Sequence, residues 1–322
     1  MIRSILPLNR VLLAVVAVLV ALLVGLERDA VETRPVESLL PEFDAAAATE
    51  VRLVASGGEG GTTLSREGPA DPWTIDQYAG ASASASLVDG FMSRIGAMTT
   101  LDLVSDDPGR FAEYEVDESS AVRIVVLGGG ADEDDDALRA DETLADVFVS
   151  SARGTAVYVR RANDASIYRV PRMPLPPTDP FRWFDRAPLV PYENVQIDRV
   201  TLGGEAVGEE DVVVVQPVER FGTFQDAEGE PIPSPVAREL FERLRSLFPT
   251  GVVGRGDGTL TDPESAFLRV DVRLRTGGEL GLLIGALDDA GVPARRGEDD
   301  LVVLLDARAV EGVLAAARAL ID

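Results

Sequence analysis

The chain of 322 residues contains no cysteine, no histidine and no lysine, so all 30 basic residues are arginine. Without cysteine there are no disulfides and no thiolate zinc sites, and without histidine there are no imidazole ligands and no Ser-His-Asp triads. The commonest catalytic bases and nucleophiles are missing as well. We therefore expect no enzymatic activity, and the sequence identifies no catalytic residue, no metal ligand and no cofactor.

Basic residues are also scarce relative to acidic ones, which number 55 and give a formal net charge of −25. A surface of this sign repels nucleic acid and anionic lipid headgroups. The acidic run Asp132–Asp136 lacks the glycine and the spaced ligands of an EF-hand loop. The glycines Gly128–Gly130 are not followed by the Lys-Ser/Thr of a phosphate-binding loop. Nucleic acid is thus not expected as a partner, and no small-molecule ligand can be identified.

One uninterrupted apolar run is present near the N-terminus, at residues 11–26. As a helix it extends about 24 Å, somewhat less than a bilayer core of about 30 Å. A cleaved signal peptide is the alternative, but the residues that follow offer no good small-x-small cleavage site. We therefore predict an uncleaved transmembrane signal anchor. Arg3 and Arg10 favour a cytoplasmic N-terminal tail and a body on the extracytoplasmic, periplasmic side of the inner membrane.

The rest of the chain repeats one order of predicted elements. The strand residues Val51 and Leu53 recur 149 residues later as Val200 and Leu202. The same shift relates two amphipathic helices, and the apolar residues concerned are Leu87, Phe91, Ile95 and Met98 in the first, and Val236, Leu240, Leu244 and Leu247 in the second. A shift of 148 relates Val122, Ile124 and Val126 to Val270, Val272 and Leu274, and a shift of 135 relates the hairpin around Arg160-Arg161 to that around Arg295-Arg296.

These shifts predict an α+β protein, in which a transmembrane helix precedes two tandem repeats of an antiparallel sheet covered by one main helix. The drop from 148 to 135 predicts an insertion of about 13 residues in the first repeat, with Ala131–Thr143 as the candidate. A final helix is predicted over Ala307–Leu320, with Asp306 as its N-cap. The predicted segments are a cytoplasmic tail at 1–10, the anchor at 11–26, a stalk at 27–37, the first repeat at 38–172, a proline- and aromatic-rich linker at 173–187 and the second repeat at 188–322.

Two groups of residues are candidates for contacts with other molecules. Arg160 and Arg161 match Arg295 and Arg296 in the two repeats, and neighbouring strand residues point to opposite faces. One arginine of each pair can therefore face inward and bind an anion or a partner, although ion pairing at the surface is the alternative. The second group is an aromatic cluster that either fills the junction between the repeats or forms a ligand platform; it consists of Phe181, Trp183, Phe184 and Tyr192.

The order of several motifs resembles the bacterial domain of unknown function 4340 family. The motifs are the N-terminal anchor, the Leu39–Asp44 entry before the first strand, Trp73 before the first helix, the hairpin from Tyr158–Arg161 to Ile167–Val170, and Trp183–Arg186 before the second repeat. The resemblance implies a membrane-tethered, extracytoplasmic α+β protein that works beside transport systems of the gliding-motility ABC type. It brings no catalytic residues.

We therefore expect a non-catalytic accessory or scaffold protein of an envelope complex, whose partner is an integral-membrane or envelope protein. The alternative is an extracytoplasmic module that binds a ligand in the cleft between the repeats. A buried cleft lined by inward-facing arginine or aromatic side chains would favour ligand binding, whereas an exposed apolar patch would favour the scaffold.

Overall fold

A computed structural model of the chain describes residues 37–129, 142–151, 155–171, 173–217, 222–255, 260, 266–287, 291–297 and 300–321. The predicted tail, the predicted anchor and all of the predicted stalk except Glu37 lie outside the described residues. So does nearly all of the predicted insertion. Within the described ranges no helix is both long and apolar enough to span a bilayer.

Within the described residues, the first repeat contains nine strands and one α-helix. Its elements are β1 (Ala48–Val54), β2 (Gly61–Ser65), β3 (Thr74–Ile75), β4 (Ala81–Ser82), α1 (Ala85–Gly96), β5 (Asp102–Ser105), β6 (Val122–Gly128), β7 (Glu142–Val149), β8 (Ala156–Arg161) and β9 (Ile167–Pro171). The described part of the second repeat contains nine strands and two α-helices. Its elements are β10 (Ile197–Gly203), β11 (Val212–Val215), β12 (Phe224–Gln225), β13 (Pro231–Ile232), α2 (Ser234–Arg245), β14 (Pro249–Arg255), β15 (Leu268–Leu274), β16 (Glu279–Ile284), β17 (Val292–Arg296), β18 (Leu301–Leu305) and α3 (Ala307–Arg318).

Each repeat forms one nine-stranded sheet, and the two strand orders are identical. The first sheet has the order β4-β3-β2-β1-β6-β7-β8-β9-β5, and the second has the order β13-β12-β11-β10-β15-β16-β17-β18-β14. Neighbouring strands are antiparallel throughout both sheets. The helix α1 follows β4 as α2 follows β13. The α+β class and the repetition of one sheet topology are therefore confirmed.

One predicted alignment is wrong by two residues. In the first sheet Val51 pairs with Val126 and Leu53 with Ile124. In the second, the matching Val200 pairs with Val272 and Leu202 with Val270. The shift between β6 and β15 is therefore 146 and not 148. Side chains alternate along a strand with a period of two. An alignment shifted by two residues therefore keeps the same side chains facing the core, and the apolar pattern cannot distinguish it from the correct one.

The corrected register also fixes the size of the insertion. The strand β7 corresponds to β16 at a shift of 135, because Ala145 pairs with Val126 as Leu280 pairs with Val272. The shift thus falls from 146 to 135, which is 11 residues. The extra residues lie between β6 and β7, as predicted, but Glu142 and Thr143 belong to β7 itself.

The first helix of each repeat covers the inner face of its sheet with four apolar residues at helical spacing. These buried residues are Val88, Phe91, Met92 and Ile95 in α1, and Ala237, Leu240, Phe241 and Leu244 in α2. The spacing i, i+3, i+4, i+7 forms a single stripe. Leu87, predicted to belong to this stripe, is instead 44% exposed, and its neighbour Val88 takes the buried position.

The second repeat also contains the predicted final helix, which ends at Arg318 and packs as α3 against α2. Asp306 caps α3 as predicted, since its carboxylate accepts hydrogen bonds from the amides of Arg308 and Ala309 at 2.8 and 3.3 Å. In the first repeat the segment after β9 is the proline-rich linker. Its Trp183 ring packs on Phe91 of α1, with the ring centroids 5.4 Å apart.

The two repeats share one hydrophobic core. A single cluster of buried side chains extends from the first sheet through the linker to the second sheet and its helices. In addition, β14 lies beside the short turn Asp76–Tyr78 of the first repeat.

Candidate functional site

The outer face of the first sheet carries a small second core. The connection from β5 to β6 crosses this face, and its residues Val116 and Ala121 are buried against Phe148 and Ile167. Phe148 and Ile167 point away from the main core because they alternate along β7 and β9 with residues that face it. The rings of Phe111, Tyr114 and Tyr158 pack around this cluster.

Arg160 of β8 lies inside this second core. Its guanidinium lies 4.2 Å from the ring centroids of both Phe111 and Phe148. Its Nε donates to the Val116 carbonyl at 3.1 Å, and its Nη1 donates to the Ala162 carbonyl at 3.2 Å. Burial lowers the pKa of Arg160, against the opposing charges of Glu118 and Asp146. The side chain holds the connection against the sheet through stacking and carbonyl contacts.

Arg161 points to the opposite side and forms a local ion pair. Its Nη2 lies 2.8 Å from Oδ2 of Asp164 in the β8–β9 turn, and its guanidinium lies 5.8 Å from the Tyr168 ring. The hydrogen bond from Arg161 to Asp164 raises the pKa of the arginine. Burial raises the pKa of Asp164, but hydrogen bonds from the Ser166 amide and Arg161 outweigh burial and lower it overall.

The arginines of the second repeat occupy the matching register positions. Arg160 pairs with Ile167, and Arg295 pairs with Val302, again at a shift of 135. The Nε atom of Arg295 is buried and has no hydrogen-bond partner in the part of the chain that the structure describes. Arg296 lines a cavity at the junction of the repeats.

Three of the four predicted aromatic residues lie where the linker meets α1 and β4. Phe181 and Phe184 stack with their ring centroids 5.9 Å apart, and Tyr78 meets Phe184 edge-on at 6.5 Å. Trp183 packs on Phe91, and its indole N–H donates to the Pro177 carbonyl at 2.8 Å. Tyr192 is half-buried and packs against the main core.

Phe184 also lines the junction cavity, which holds about 150 Å³. Its walls come from both repeats, and they are formed by Ser82, Phe184, Asp185, Ala187, Leu189, Pro249, Arg296, Leu301 and Val303. Pockets that bind small molecules usually enclose about 300–1,000 Å³. The cavity is thus lined by apolar side chains together with Ser82, Asp185 and Arg296, and it is too small for most ligands.

Comparison with known proteins identifies one family. The family model described as Domain of unknown function (DUF4340) matches residues 73–265, which is more than half of the chain. The chain belongs to this family. The DUF4340 match begins at β3, runs through the linker and ends in the connection from β14 to β15. It includes Arg160, Arg161 and the four aromatic residues, but it ends before Arg295 and Arg296. No curated protein and no solved structure matches the chain.

Two features of this DUF4340 protein leave no signal in the apolar pattern of its sequence. One is the packing of Arg160 between Phe111 and Phe148, since Phe111 lies in an irregular connection without a period. The other is the outer edge of β5, where Leu101 and Leu103 are each 44% exposed. Only the position of β5 at the end of the sheet order reveals this edge.

Proposed function

We propose that this DUF4340 protein is a non-catalytic accessory or scaffold protein of an envelope complex. In this proposal residues 11–26 anchor it in the inner membrane, its body stands on the periplasmic side, and its partner is an integral-membrane protein such as a subunit of an ABC-type transporter. Such a body acts through its surface, by holding a partner near the bilayer.

The observation that supports this proposal best is the hydrophobic core that the two repeats share. This core runs from one repeat to the other, and the cavity that the described residues form at the junction holds only about 150 Å³. A ligand-binding module needs a cleft that a ligand can enter, and a continuous core opposes hinge opening. The alternative of ligand binding between the repeats is therefore less well supported than the scaffold.

The charge of the body and its predicted anchor together suggest how it sits beside the membrane. With a net charge of −25, the body is repelled by anionic headgroups instead of lying on them. An anchor nevertheless confines it to a thin layer above the bilayer, where the effective concentration of a membrane partner is high. Even a weak surface contact then suffices for a stable complex.

Cross-linking in native membranes tests this function. The full-length protein, carrying an affinity tag at its C-terminus, is cross-linked in its host and purified, and the attached proteins are identified by mass spectrometry. We expect a specific integral-membrane subunit. Recovery of the protein alone, together with binding of a metabolite to the purified full-length chain, would support the ligand-binding alternative instead.

A further inference from the structure

The outer face of the second sheet contains a recess of about 300 Å³. This outer recess crosses three neighbouring strands, β10, β15 and β16. Because side chains alternate along each strand and Val200, Val272 and Leu280 are buried, the residues beside them point outward. The outward residues form two rows across the strands, of which the first is Arg199, Arg273 and Glu279 and the second is Thr201, Asp271 and Gly281.

Gly281 leaves space where the first sheet has a carboxylate. The shift of 135 that relates β7 to β16 matches Gly281 to Asp146, which accepts two hydrogen bonds from Arg123 at 2.9 and 2.8 Å. A methyl group at Gly281 would meet only Oδ1 of Asp271 within 4 Å, at 3.6 Å. The middle of the second sheet therefore has room for atoms of another molecule above Gly281.

Arg199 lines this space with a guanidinium that lacks a protein acceptor. The residue is half-buried, and its side chain forms no hydrogen bond or ion pair within the described ranges. Its equivalent in the first sheet is Glu50, which pairs with Arg52, but the second sheet has Thr201 at the position of Arg52. A guanidinium offers five N–H donors in a planar fork that matches a carboxylate. An acceptor from solution can fill this place.

A free carboxylate lies at the other end of the same row. Glu279 stands opposite Arg273 on the neighbouring strand, but Arg273 donates to Asp198 instead, at 2.8 and 2.6 Å. Among the described residues Glu279 has no ion-pair partner. Neighbouring strands lie about 4.8 Å apart, so the backbones at Arg199 and Glu279 are on the order of 10 Å apart. The outer recess thus has an unpaired cation on one side and an unpaired anion on the other.

These two charges indicate the class of ligand. Asp271 is paired with Arg269 at 3.0 Å, so Glu279 is the carboxylate that remains available. Glu279 repels phosphate and other simple anions, whereas a molecule with both a carboxylate and an ammonium group satisfies both sides. We propose that the outer recess binds the zwitterion of an α-amino acid or short peptide, with its carboxylate on Arg199 and its ammonium group on Glu279. This inference goes beyond the proposed function.

Ligand titration of the purified full-length protein in detergent, followed by saturation-transfer NMR, tests the inference. The probes are alanine as the free amino acid and alanyl-alanine as the short peptide. Acetate and methylammonium are the controls, since each carries only one of the two charges. Arg199→Gln and Glu279→Gln remove the proposed contacts. Arg52→Gln is the matched control on the outer face of the first sheet, where the Arg52 side chain is 51% exposed.

We expect at least one zwitterion to bind more tightly than both controls, and Arg199→Gln to weaken this binding about tenfold or more, which is about 1.4 kcal/mol. Arg52→Gln makes the same change in net charge and should alter the binding less than about twofold. Glu279→Gln should remove most of the preference for the zwitterion over acetate. Zwitterions that bind no more tightly than acetate, or equal effects of the two arginine variants, would overturn the proposal.

Gly281→Val provides an independent test, because it fills the outer recess without changing its charge. Valine suits a strand, so we expect a melting temperature close to that of the wild type and loss of zwitterion binding. Binding that persists in folded Gly281→Val would place the ligand elsewhere and overturn the proposal. Since these variants lie on the outer face, they also distinguish this site from the cleft between the repeats, and the cross-linking experiment is independent of their outcome.

Discussion

Arg160 shows how a charged residue can serve packing. The sequence predicted either an inward-facing anion contact or a surface ion pair for the arginine pairs. The structure places Arg160 between two aromatic rings with backbone carbonyls as acceptors. This arrangement supplies cation–π contacts and a hydrogen bond to the Val116 carbonyl of the irregular connection.

Replacement of Arg160 should destabilise the first repeat. In Arg160→Met the apolar contacts persist in part, but buried carbonyls, among them those of Val116 and Ala162, lose their donors. We expect a loss of about 2–3 kcal/mol in the free energy of unfolding. Arg161→Met is the matched control, and it should cost less than about 1 kcal/mol because its ion pair with Asp164 is partly solvated. Urea unfolding of both variants measures the difference, and equal costs would contradict the assigned role.

Asp164 should make stability depend on pH. Its pKa is lowered in the folded protein, so its contribution is present above the unfolded pKa of about 3.9 and is lost as the pH falls through the folded pKa. We expect Asp164→Asn to cost about 1 kcal/mol at neutral pH. The cost should shrink as the pH falls below about 4, because the carboxylate is protonated first in the unfolded chain and only at lower pH in the folded protein. Urea unfolding at both pH values checks this, and a cost that stays constant down to the most acidic pH would contradict it.

The elements with a clear period could be predicted from sequence, and those held by their neighbours could not. The helices α1 and α3 and the hairpin of β8 and β9 follow the apolar patterns of their residues. The two-residue strands β4 and β13 are too short to show any alternation, because their pairing partners hold them in place. The predicted alignment of β6 with β15, its equivalent in the second repeat, was wrong for the opposite reason. Both strands alternate so regularly that an alignment shifted by two residues matches the apolar pattern equally well.

The β6–β7 hairpin should tolerate a shorter connection. In the second repeat the corresponding strands are joined by Arg275–Gly278, where the Leu274 amide donates to the Gly278 carbonyl at 2.8 Å. We expect replacement of residues 129–141 by this four-residue turn to leave the free energy of unfolding unchanged or to raise it by up to about 1 kcal/mol, because a shorter connection costs less entropy to close. Thermal unfolding with and without calcium measures the effect. A loss of several degrees, or a stabilisation by calcium that only the wild type shows, would mean that the segment has a binding role.

The linker should contribute to stability as an element of the core. Trp183→Ala removes the contact with Phe91 and the hydrogen bond to Pro177, and leaves a cavity over α1. We expect a cost of about 3–5 kcal/mol. Phe248→Ala is the matched aromatic control, because Phe248 is about half exposed and should cost less than about 1 kcal/mol. A small effect of Trp183→Ala in urea unfolding would show that the linker only connects the repeats.

The whole molecule consists of two copies of one sheet topology that share a core. Repetition of one strand order within a single chain, with a continuous core, gives a body whose surfaces keep fixed positions relative to one another. Fixed surfaces suit the proposed role of holding a partner. The sequence could predict this duplication from its shifts, but the place of β5 at the end of the first sheet follows only from the strand order.

We propose that residues 11–26 hold this body at a membrane. Alkaline extraction of membranes from the host, followed by mass measurement of the intact protein, tests this proposal. We expect the protein to stay in the pellet at its full length, because sixteen apolar residues insert stably into the bilayer. Release into the soluble fraction, or a mature N-terminus near Glu27–Val31, would show that no anchor is retained.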